Sequence, residues 1–543
     1  MSILSFDFLF FVAAVVLVYY LLPLKIRWYA LLLASGVFAC LSGWQGAAHL
    51  GAVGLITWLG ALALRGCRDK EAAALEAAQA AEKASDGAQD TAPEAEASAE
   101  AARQRKIAVR WARWRRVLLF LLLLADFSAM LLVKYYPAVA SWLNGFLDKK
   151  AALPLWDLAA PLGLSYYTFQ TAGYLIDVSR GKADAPKNPC KAQLFAGYFL
   201  QLPQGPISSW KELAGSLTEG HRLEPENLTM GFQLMAWGYF KKLLIADRLA
   251  DTTLALLGAQ EAQPGWFVLG CALLYALRLY ADFSGGMDVV RGISLMLGIP
   301  LPENFRRPFF SQSVAEYWRR WHITLGAWFR TYLLYPFAAS RAGVALGRGA
   351  GKILGKKTGR ALPAALMTVV VFLLIGLWHI ANGNAVAFGL YFGVLMALSM
   401  LLDPVWKTVN RTLRLPKGGW MTPVRLVRTW ALVLFAQYFA FTSSPQQGLD
   451  LIRQTFSPWD LTGFIEKWTG VMPEIEWIIV GAGLVILLIV DLLTEKKKRV
   501  NQWLAGTHVF LRWPLLLLLI LAVLIFGRYG HGYDQAGFLY TQF

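Results

Sequence analysis

The chain has 543 residues, of which 57% are hydrophobic and 16% are charged, and its formal net charge is +17. Soluble globular domains carry about 25% charged residues, so this composition excludes an ordinary soluble protein. The excess of lysine and arginine does not indicate a nucleic-acid partner, because the basic residues cluster beside long apolar runs. That arrangement is typical of membrane proteins, whose cytoplasmic loops are enriched in lysine and arginine.

Apolar runs of membrane-spanning length recur along the chain. The strongest are, in order, FLFFVAAVVLVYYLL, WYALLLASGVFACL, VLLFLLLLADFSAMLLV, LMTVVVFLLIGLW, WIIVGAGLVILLIVDLL and WPLLLLLILAVLIF. Because about 20 apolar residues cross a bilayer as a helix, these runs predict transmembrane helices. With the weaker runs included, we predict an all-α polytopic membrane protein of roughly 11 transmembrane helices, with additional re-entrant or interfacial helices.

The pattern of charge divides this predicted single membrane domain into three stretches. Residues 1–65 are expected to form the N-terminal transmembrane helices, and residues 117–543 the core and the C-terminal transmembrane helices. Between them, residues 66–116 are rich in Ala and Glu and then strongly basic. We interpret this segment as a partly helical cytoplasmic loop, because it lacks an apolar face and its basic end follows the positive-inside pattern.

A polar interruption from 275 to 336 contains the first candidate functional residues. Asp282 and Ser284 lie in YADFSGGMD, whose glycines permit the close approach of a helix or a substrate. Further along, the pattern S-x-x-E that starts at Ser313 predicts the beginning of a helix.

On that predicted helix, Trp318, Trp321 and His322 share one apolar face, whereas Arg319 and Arg320 point elsewhere. Two interpretations are open. An amphipathic helix with tryptophans and arginines suits an anchor at the cytoplasmic membrane interface, in which the histidine is satisfied by packing. Alternatively, the segment forms a cytoplasmic mouth that binds an anionic cofactor.

A second candidate lies in GLWHIANGN, inside a long apolar run. On a continuous helix, Gly376 and Gly383 would flank His379 and leave space around its imidazole, and Asn382 would orient one ring nitrogen. The Asn-Gly pair alternatively predicts a turn, so that His379 ends one helix before the next begins. In both cases an ionisable group lies within the membrane, which favours catalysis over packing alone for His379.

Several other chemistries are poorly supported by the sequence. It contains no GxSxG nucleophile motif, no GxxxxGK[ST] phosphate-binding loop and no HExxH zinc motif. Its four cysteines lack the spacing of metal ligands. We therefore predict neither a metal site nor a nucleotide-driven pump.

Taken together, a set of motifs resembles the membrane-bound O-acyltransferases, in the bacterial branch of alginate and peptidoglycan O-acetyltransferases, with the teichoic acid D-alanyl transferases more distant. The motifs are SFDFLFFVAAVVLVYYLLPLKIRWYALLLAS, GLSYYTFQTAGYLIDVSRG, LPQGPI, YADFSGGMD, LPENFRRPF, AEYWRRWHITLGAWFRTYLLYP, GLWH and GFLYTQF. They follow one another along most of the chain, apart from residues 66–102. The chain departs from the family pattern at Ile380, where a glycine usually follows the histidine, and in DFSGGMD, which replaces DFSGYSD.

The resemblance implies membrane helices around a funnel-shaped centre, and an enzyme that transfers an acyl group from a cytoplasmic thioester to a hydroxyl reached from outside. The implied donor is acyl-CoA, with acetyl expected first, or an acyl-carrier thioester, and no cofactor is bound permanently. The implied acceptor is an extracytoplasmic polysaccharide or cell-wall polymer, reached directly or through an esterase-like (SGNH-type) partner protein. The implied location is the bacterial cytoplasmic membrane.

The resemblance also implies roles for individual residues. The membrane histidine of the family corresponds to His379, the expected general base, and the second histidine, in WRRWH, corresponds to His322. Residues expected to orient the base or to bind substrate are Asp282, Ser284, Asn304, Trp318, Arg319, Trp321 and Asn382. Residues expected either to meet the phosphates of coenzyme A or to form a solvated loop are Arg306, Arg307, Arg319 and Arg320.

Two other functions remain open at this point. A transporter or flippase would use His379, Asp282 and Asp126 as a path for protons or lipids. Transporters often show two similar halves with broken helices in corresponding positions, and the sequence shows no such repeat. A purely structural membrane scaffold predicts that neither histidine matters.

Overall fold

The computed structural model describes residues 1–85, 92–147, 152–156, 158–412, 419–496 and 500–529. Within these ranges the regular structure is helical. The α-helices are α1 (Phe6–Leu21), α2 (Arg27–Ser42), α3 (Trp44–Ser85), α4 (Ala92–Met130), α5 (Tyr136–Asn144), α6 (Leu164–Ser179), α7 (Pro189–Gly197), α8 (Gln201–Gln204), α9 (Trp210–Thr218), α10 (Pro225–Tyr239), α11 (Asp247–Gly258), α12 (Gly265–Met296), α13 (Val314–Arg320), α14 (Ile323–Phe329), α15 (Tyr335–Ala339), α16 (Arg341–Ile353), α17 (Lys356–His379), α18 (Gly383–Leu401), α19 (Asp403–Thr412), α20 (Thr422–Phe441), α21 (Pro445–Thr455), α22 (Phe464–Val471), α23 (Glu474–Glu495), α24 (Val500–Gly506) and α25 (Val509–Phe526). Short 3₁₀ segments are Leu24–Ile26, Pro308–Phe310 and Gly419–Met421, and π-helical segments are Leu131–Tyr135, Phe240–Ala246 and Arg330–Leu334.

The described residues contain 9 helical stretches that are long and apolar enough to cross a membrane, and α1 is a shorter apolar helix. The stretches are Leu24–Ser42, Trp44–Lys83, Glu96–Asn144, Gly265–Met296, Lys356–His379, Gly383–Leu401, Gly419–Phe441, Glu474–Glu495 and Val509–Phe526. Backbone polar groups in lipid must be satisfied internally, which a helix achieves within one segment. The predicted class, an all-α polytopic membrane protein, is confirmed, although fewer helices meet this length criterion than the roughly 11 predicted from apolar runs.

The chain divides into two compact units. The first comprises Met1, Ile3–Pro203 and Ile207–His221, and the second comprises Ser2, Gln204–Pro206 and Arg222–Phe543. The domain boundaries predicted from the sequence differ from this division and stay a prediction.

In the first unit, α3 and α4 pack against each other and include most of the segment predicted as a loop. Ala74 and Ala78 of α3 and Ala101 and Ala108 of α4 are buried. Small side chains let two helices approach closely, which explains why an Ala-rich sequence without a large apolar face is helical here. Residues 86–91, in the middle of the predicted loop, lie outside the described ranges.

In the second unit, glycines bring α10 and α12 into close contact. A Cβ atom at Gly231 would lie 2.5 Å from the carbonyl oxygen of Gly292, and one at Gly238 would lie 2.5 Å from that of Gly285. Such backbone proximity is available to small residues only. The contact holds the YADFSGGMD stretch of α12 against the segment that follows α10.

The helices α17 and α18 form a second close pair, joined by residues 380–382. A Cβ atom at Gly389 would lie 2.6 Å from the carbonyl oxygen of Phe372, and one at Gly393 would lie 2.9 Å from the Cα atom of Val369. The pair therefore fixes the junction between the two helices, and His379 is the last residue before that junction.

Candidate functional site

His379 lies at a break between two apolar helices. It ends α17, and the next residue, Ile380, has extended backbone angles. The side-chain oxygen of Asn382 accepts a hydrogen bond of 2.9 Å from the backbone N–H of Ala385, so Asn382 is the N-cap of α18. Of the two arrangements left open by the sequence, the turn is present and the continuous helix is absent. The role of Asn382 in orienting His379 stays a prediction, because the contact described for its oxygen is the helix cap.

The two glycines near His379 do not leave open space around the imidazole, as the sequence had suggested. A Cβ atom at Gly376 would clash with the carbonyl oxygen of Ala385, and one at Gly383 would lie 3.1 Å from Pro445 Cγ. Both glycines are therefore required for close packing of the backbone at the junction. The expectation that they create room was wrong, because neighbouring chain segments fill the space that each missing side chain leaves.

Room beside His379 comes instead from a cavity of about 290 Å³ in the second unit. This volume is near the lower end of the range for small-molecule sites, which are mostly apolar with a few polar groups. The lining residues are Tyr275, Leu279, Tyr317, Trp318, Trp321, Gly376, His379, Ile380, Asn382, Asn384, Ala385, Phe388, Phe392, Gln437, Phe439, Ala440, Phe441 and Thr442. The cavity thus places one imidazole in a wall that is rich in aromatic side chains.

His322 lies at a second break, between α13 and α14. As predicted, Ser313 caps α13 by accepting a hydrogen bond from the Glu316 N–H, but the helix ends at Arg320. His322 has φ of 45°, in the left-handed region, and α14 begins at the next residue. The prediction of one amphipathic helix through Trp318, Trp321 and His322 was therefore wrong, because the left-handed residue interrupts the 3.6-residue period.

The break brings the two histidines together. The ring centroids of His322 and His379 are 6.2 Å apart, and His322 is also 5.9 Å from the ring of Trp378. His322 is buried, with 2% of its surface exposed. Burial lowers the pKa of the His322 imidazole to about 3, so this ring is neutral at physiological pH.

Asn304 holds the segment that carries His322. Its side-chain oxygen accepts hydrogen bonds of 3.0 Å from both the N–H and the hydroxyl of Thr324, and lies 3.3 Å from His322 Nδ1. Its backbone oxygen accepts a 3.0 Å hydrogen bond from the N–H of Ile323. Because the Asn304 oxygen is an acceptor, Nδ1 of the neutral His322 ring carries the proton and Nε2 has the lone pair.

Asp282 and Ser284 belong to a different cluster. Lys242 donates a 2.6 Å hydrogen bond to Asp282 and also pairs with Asp247 at 2.7 Å. Lys241 donates to the Ser284 hydroxyl and to Asp288, each at 2.8 Å. Neither Asp282 nor Ser284 lines the cavity. Their substrate-binding role stays a prediction, and the described contacts of both side chains connect α12 to the π-helical segment Phe240–Ala246.

Trp318 and Trp321 both line the cavity. Trp318 packs edge-on against Phe372 and Phe392, with ring centroids 4.9 Å away in each case. Trp321 stacks on Tyr317 at 5.7 Å and is 4% exposed. The two tryptophans therefore reach the candidate site although the helix predicted to carry them is interrupted.

The arginines predicted near this site differ in their pairing. Arg307 and Arg320 both contact Glu495, Arg320 also contacts Glu316, and Arg306 pairs with Glu303 at 2.7 Å. Arg319 is exposed, and within the described ranges no carboxylate pairs with it. Three of the four arginines thus have acidic partners in the protein, which favours a structural role for them.

Other cavity residues were not among the predicted site residues. Asn384, Gln437 and Thr442 supply polar groups, and Phe388 and Phe392 supply much of the apolar wall. The signal available for Gln437 was its position as an amide within the apolar stretch LFAQYFAF. Among the described residues, no group of three or more His, Cys, Asp or Glu side chains is arranged to hold a metal ion.

Comparison with known proteins identifies the central part of the chain. Residues 151–345 match the family model of the membrane-bound O-acyltransferases (MBOAT). The match includes His322 and ends before His379, and it confirms the resemblance based on the motifs.

Individual relatives belong to three groups. The probable alginate O-acetylase AlgI of Pseudomonas aeruginosa is 33% identical over 281 residues, which cover 52% of this chain and 48% of that protein. The peptidoglycan O-acetyltransferase of Helicobacter pylori is 29% identical, with 52% and 55% covered. The teichoic acid D-alanyltransferase of Bacillus subtilis is 25% identical, with 54% and 71% covered. The chain thus matches about half the length of the alginate O-acetylases.

Proposed function

We propose that this chain is a membrane-bound O-acyltransferase that moves an acyl group from a thioester donor to a hydroxyl group, with His379 as the general base. The observation that carries this proposal is the position of His379 on the wall of an aromatic cavity, at a helix break and 6.2 Å from a second imidazole. A cavity with few, convergent polar groups is the expected form of a small-molecule site.

The reaction requires one proton to move twice. The acceptor hydroxyl gives its proton to a ring nitrogen of His379 while its oxygen forms a bond to the carbonyl carbon of the thioester. The carbon–sulfur bond then breaks, and the imidazolium returns the proton to the leaving thiolate. The products are an ester and a free thiol, and His379 ends unchanged. General-base catalysis of this kind contributes about 10²–10⁴-fold in rate.

The surrounding residues hold the reactants. The aromatic wall, which includes Trp318 and Trp321, excludes water from the thioester and restricts its orientation. Orientation of two reactants in one cavity contributes up to roughly 7–11 kcal/mol to lowering a barrier. His322 is neutral and held by Asn304, and we assign it to the support of the base and the donor side rather than to proton transfer.

We further propose that the donor is acetyl-CoA or another acyl thioester from the cytoplasm. The acceptor would be an extracytoplasmic polysaccharide or cell-wall polymer, reached directly or through an esterase-like partner protein, at the bacterial cytoplasmic membrane. The support is the similarity to relatives named as acetylases of alginate and peptidoglycan.

The transporter alternative loses support from the pairing of its acids. Asp282 is held by Lys242, and both carboxylate oxygens of Asp126 lie within 3.0 Å of the Thr171 hydroxyl. Acids that connect neighbouring segments in this way serve packing, and of the three groups named for a proton path only His379 lines the cavity.

The test is the variant His379→Gln, which keeps a hydrogen-bonding side chain and removes the base. Purified protein in nanodiscs is given acetyl-labelled acetyl-CoA, and transfer to glycerol is measured by the labelled ester formed. We expect the rate to fall by about 10²–10⁴-fold without a change in melting temperature. The matched control is His508→Gln, since His508 lies before α25 and does not line the cavity. Normal transfer by His379→Gln would exclude the assignment.

A further inference from the structure

Three polar groups on the cavity wall have no role in the proton transfer described above. Gln437 of α20 and Asn384 of α18 line the cavity and are 3% and 4% exposed. Their side-chain oxygens, and the indole Nε1 of Trp318, are buried without a hydrogen-bond partner among the described residues. The cavity wall thus contains two acceptors and one donor that the described part of the chain leaves unpaired.

The local fold explains the position of Asn384 but does not explain its oxygen. Its side-chain nitrogen donates a hydrogen bond to the carbonyl oxygen of Thr442, which connects α18 to the end of α20. That bond fixes the amide and leaves the oxygen unused. Gln437 makes no such hydrogen bond within the described ranges, and it lies one helical turn before Ala440 and Phe441 on the same cavity wall.

Unpaired buried amides reduce stability, since a group taken from water without a new partner is unfavourable. Buried polar side chains in proteins are nearly always hydrogen-bonded, and exceptions call for an explanation. Because these groups line the same cavity as His379, the simplest explanation is that a substrate supplies their partners.

The chemistry of the wall limits what that substrate group is. None of the residues that line the cavity is Asp or Glu. A buried ammonium would need a carboxylate partner, so an aminoacyl group is disfavoured. The methyl of an acetyl group neither donates nor accepts hydrogen bonds. A hydroxyl donates one hydrogen bond and accepts others, and is therefore a neutral group that satisfies one amide oxygen and the indole N–H together.

We propose that Gln437, together with Trp318, binds a second hydroxyl of the acceptor, adjacent to the hydroxyl that is acylated: the hydroxyl donates to the Gln437 amide oxygen and accepts from the Trp318 indole N–H. The inference rests on the proposed function and deepens it, because it makes a vicinal diol the substrate class that this cavity selects. Gln437 is then a specificity-determining residue, and His379 remains the base.

The test compares two acceptors of nearly equal size, 1,2-propanediol and 1-propanol, with acetyl-CoA as the donor. We expect the wild-type protein to have a higher kcat/KM for the diol. In Gln437→Met, which keeps the length of the side chain and removes the amide, the diol-to-alcohol ratio of kcat/KM should fall about tenfold. Its melting temperature should not fall, because an unfavourable buried amide has been removed.

The matched control is Phe441→Leu, which changes the shape of the same wall without changing its polarity. It should affect both alcohols alike and preserve the ratio. A Gln437→Met protein with the wild-type ratio would overturn the inference and leave the proposed function intact. A wild-type protein that esterifies neither alcohol would count against both.

A third arm replaces acetyl-CoA with alanyl-CoA. If Gln437→Met changes the preference between the two donors but not between the two alcohols, the amide contacts the acyl group and the diol assignment is wrong. An unchanged donor preference, with a reduced diol preference, supports it.

Discussion

Polar side chains enter the apolar helices of the second unit in two regions, and the regions differ in how those side chains are paired. In the charged cluster, formed by Lys241, Lys242, Asp247, Asp282 and Asp288, each lysine contacts a carboxylate within 2.8 Å. In the cavity, the amide oxygens of Asn384 and Gln437 have no hydrogen-bond partner in the part of the chain that the structure describes. Pairing, rather than polarity, therefore separates residues that hold the fold from residues that are available to a substrate.

The largest effect is expected from breaking the charged cluster at Lys242. Its side chain is 1% exposed and lies between Asp247 and Asp282. In Lys242→Met two buried carboxylates lose their cation, so we expect unfolding to become easier by about 3–5 kcal/mol. Thermal and denaturant unfolding in detergent would measure the loss. Asp282→Asn is the control, since it leaves the contact of Lys242 with Asp247, and should cost less.

An equal loss in both variants would contradict the view that the two carboxylates share one cation. No loss in Lys242→Met would show that the cluster is dispensable for the fold. In that case the contrast between the paired region and the cavity would no longer hold.

The sequence predicted the surroundings of the site better than its internal geometry. The break after His379 could be anticipated, because Asn-Gly favours a turn and Asn is a strong helix cap. The helix start at Ser313 could be anticipated for the same local reason. The left-handed conformation of His322 could not, because it depends on Asn304. This residue lies 18 positions before His322 and accepts hydrogen bonds from Thr324, just beyond it.

The other features that could not be predicted from the sequence depend on contacts between residues far apart in the chain. Two lysines in the apolar stretch YFKKLL indicate a buried charged site, yet their partners Asp282 and Asp288 lie at least 40 residues further along. Glycines near a histidine were interpreted as space, whereas Gly376 serves the contact between α17 and α18. The spacing of residues along one helix does not show which neighbouring helix packs against a given face.

The next largest effect is expected from a change in the helix pair α17 and α18, which positions His379 beside the cavity. Gly376→Ala would place a methyl group against the carbonyl oxygen of Ala385, one turn before His379. Overpacking of this kind costs about 1–3 kcal/mol. Because the junction must shift to accept the methyl group, we expect transfer activity to fall more than tenfold, measured with the labelled donor.

The matched variant is Gly389→Ala, which adds a methyl group 2.6 Å from the carbonyl oxygen of Phe372 in the same helix pair. It should lower the melting temperature to a similar extent and reduce activity less, since it lies further from the junction. If both variants lose transfer activity in proportion to their loss of melting temperature, the activity does not depend specifically on the position of His379.

The smallest effect is expected at the exposed arginines Arg306 and Arg319, which differ in whether a carboxylate of the protein pairs with them. Arg306 has Glu303 as a partner, whereas Arg319, next to Trp318 of the cavity wall, pairs with no carboxylate in the described ranges. If Arg319 meets a phosphate of coenzyme A, Arg319→Ala should raise the KM for acetyl-CoA about twofold to fivefold, the range of an exposed ion pair. The increase should disappear at high salt, because exposed charges are screened.

Arg306→Ala should leave the KM for acetyl-CoA unchanged. With acetyl-pantetheine, which lacks the phosphates, Arg319→Ala and the wild type should have the same KM. An equal rise in KM for both donors would show that Arg319 acts on the cavity wall and not on the phosphates.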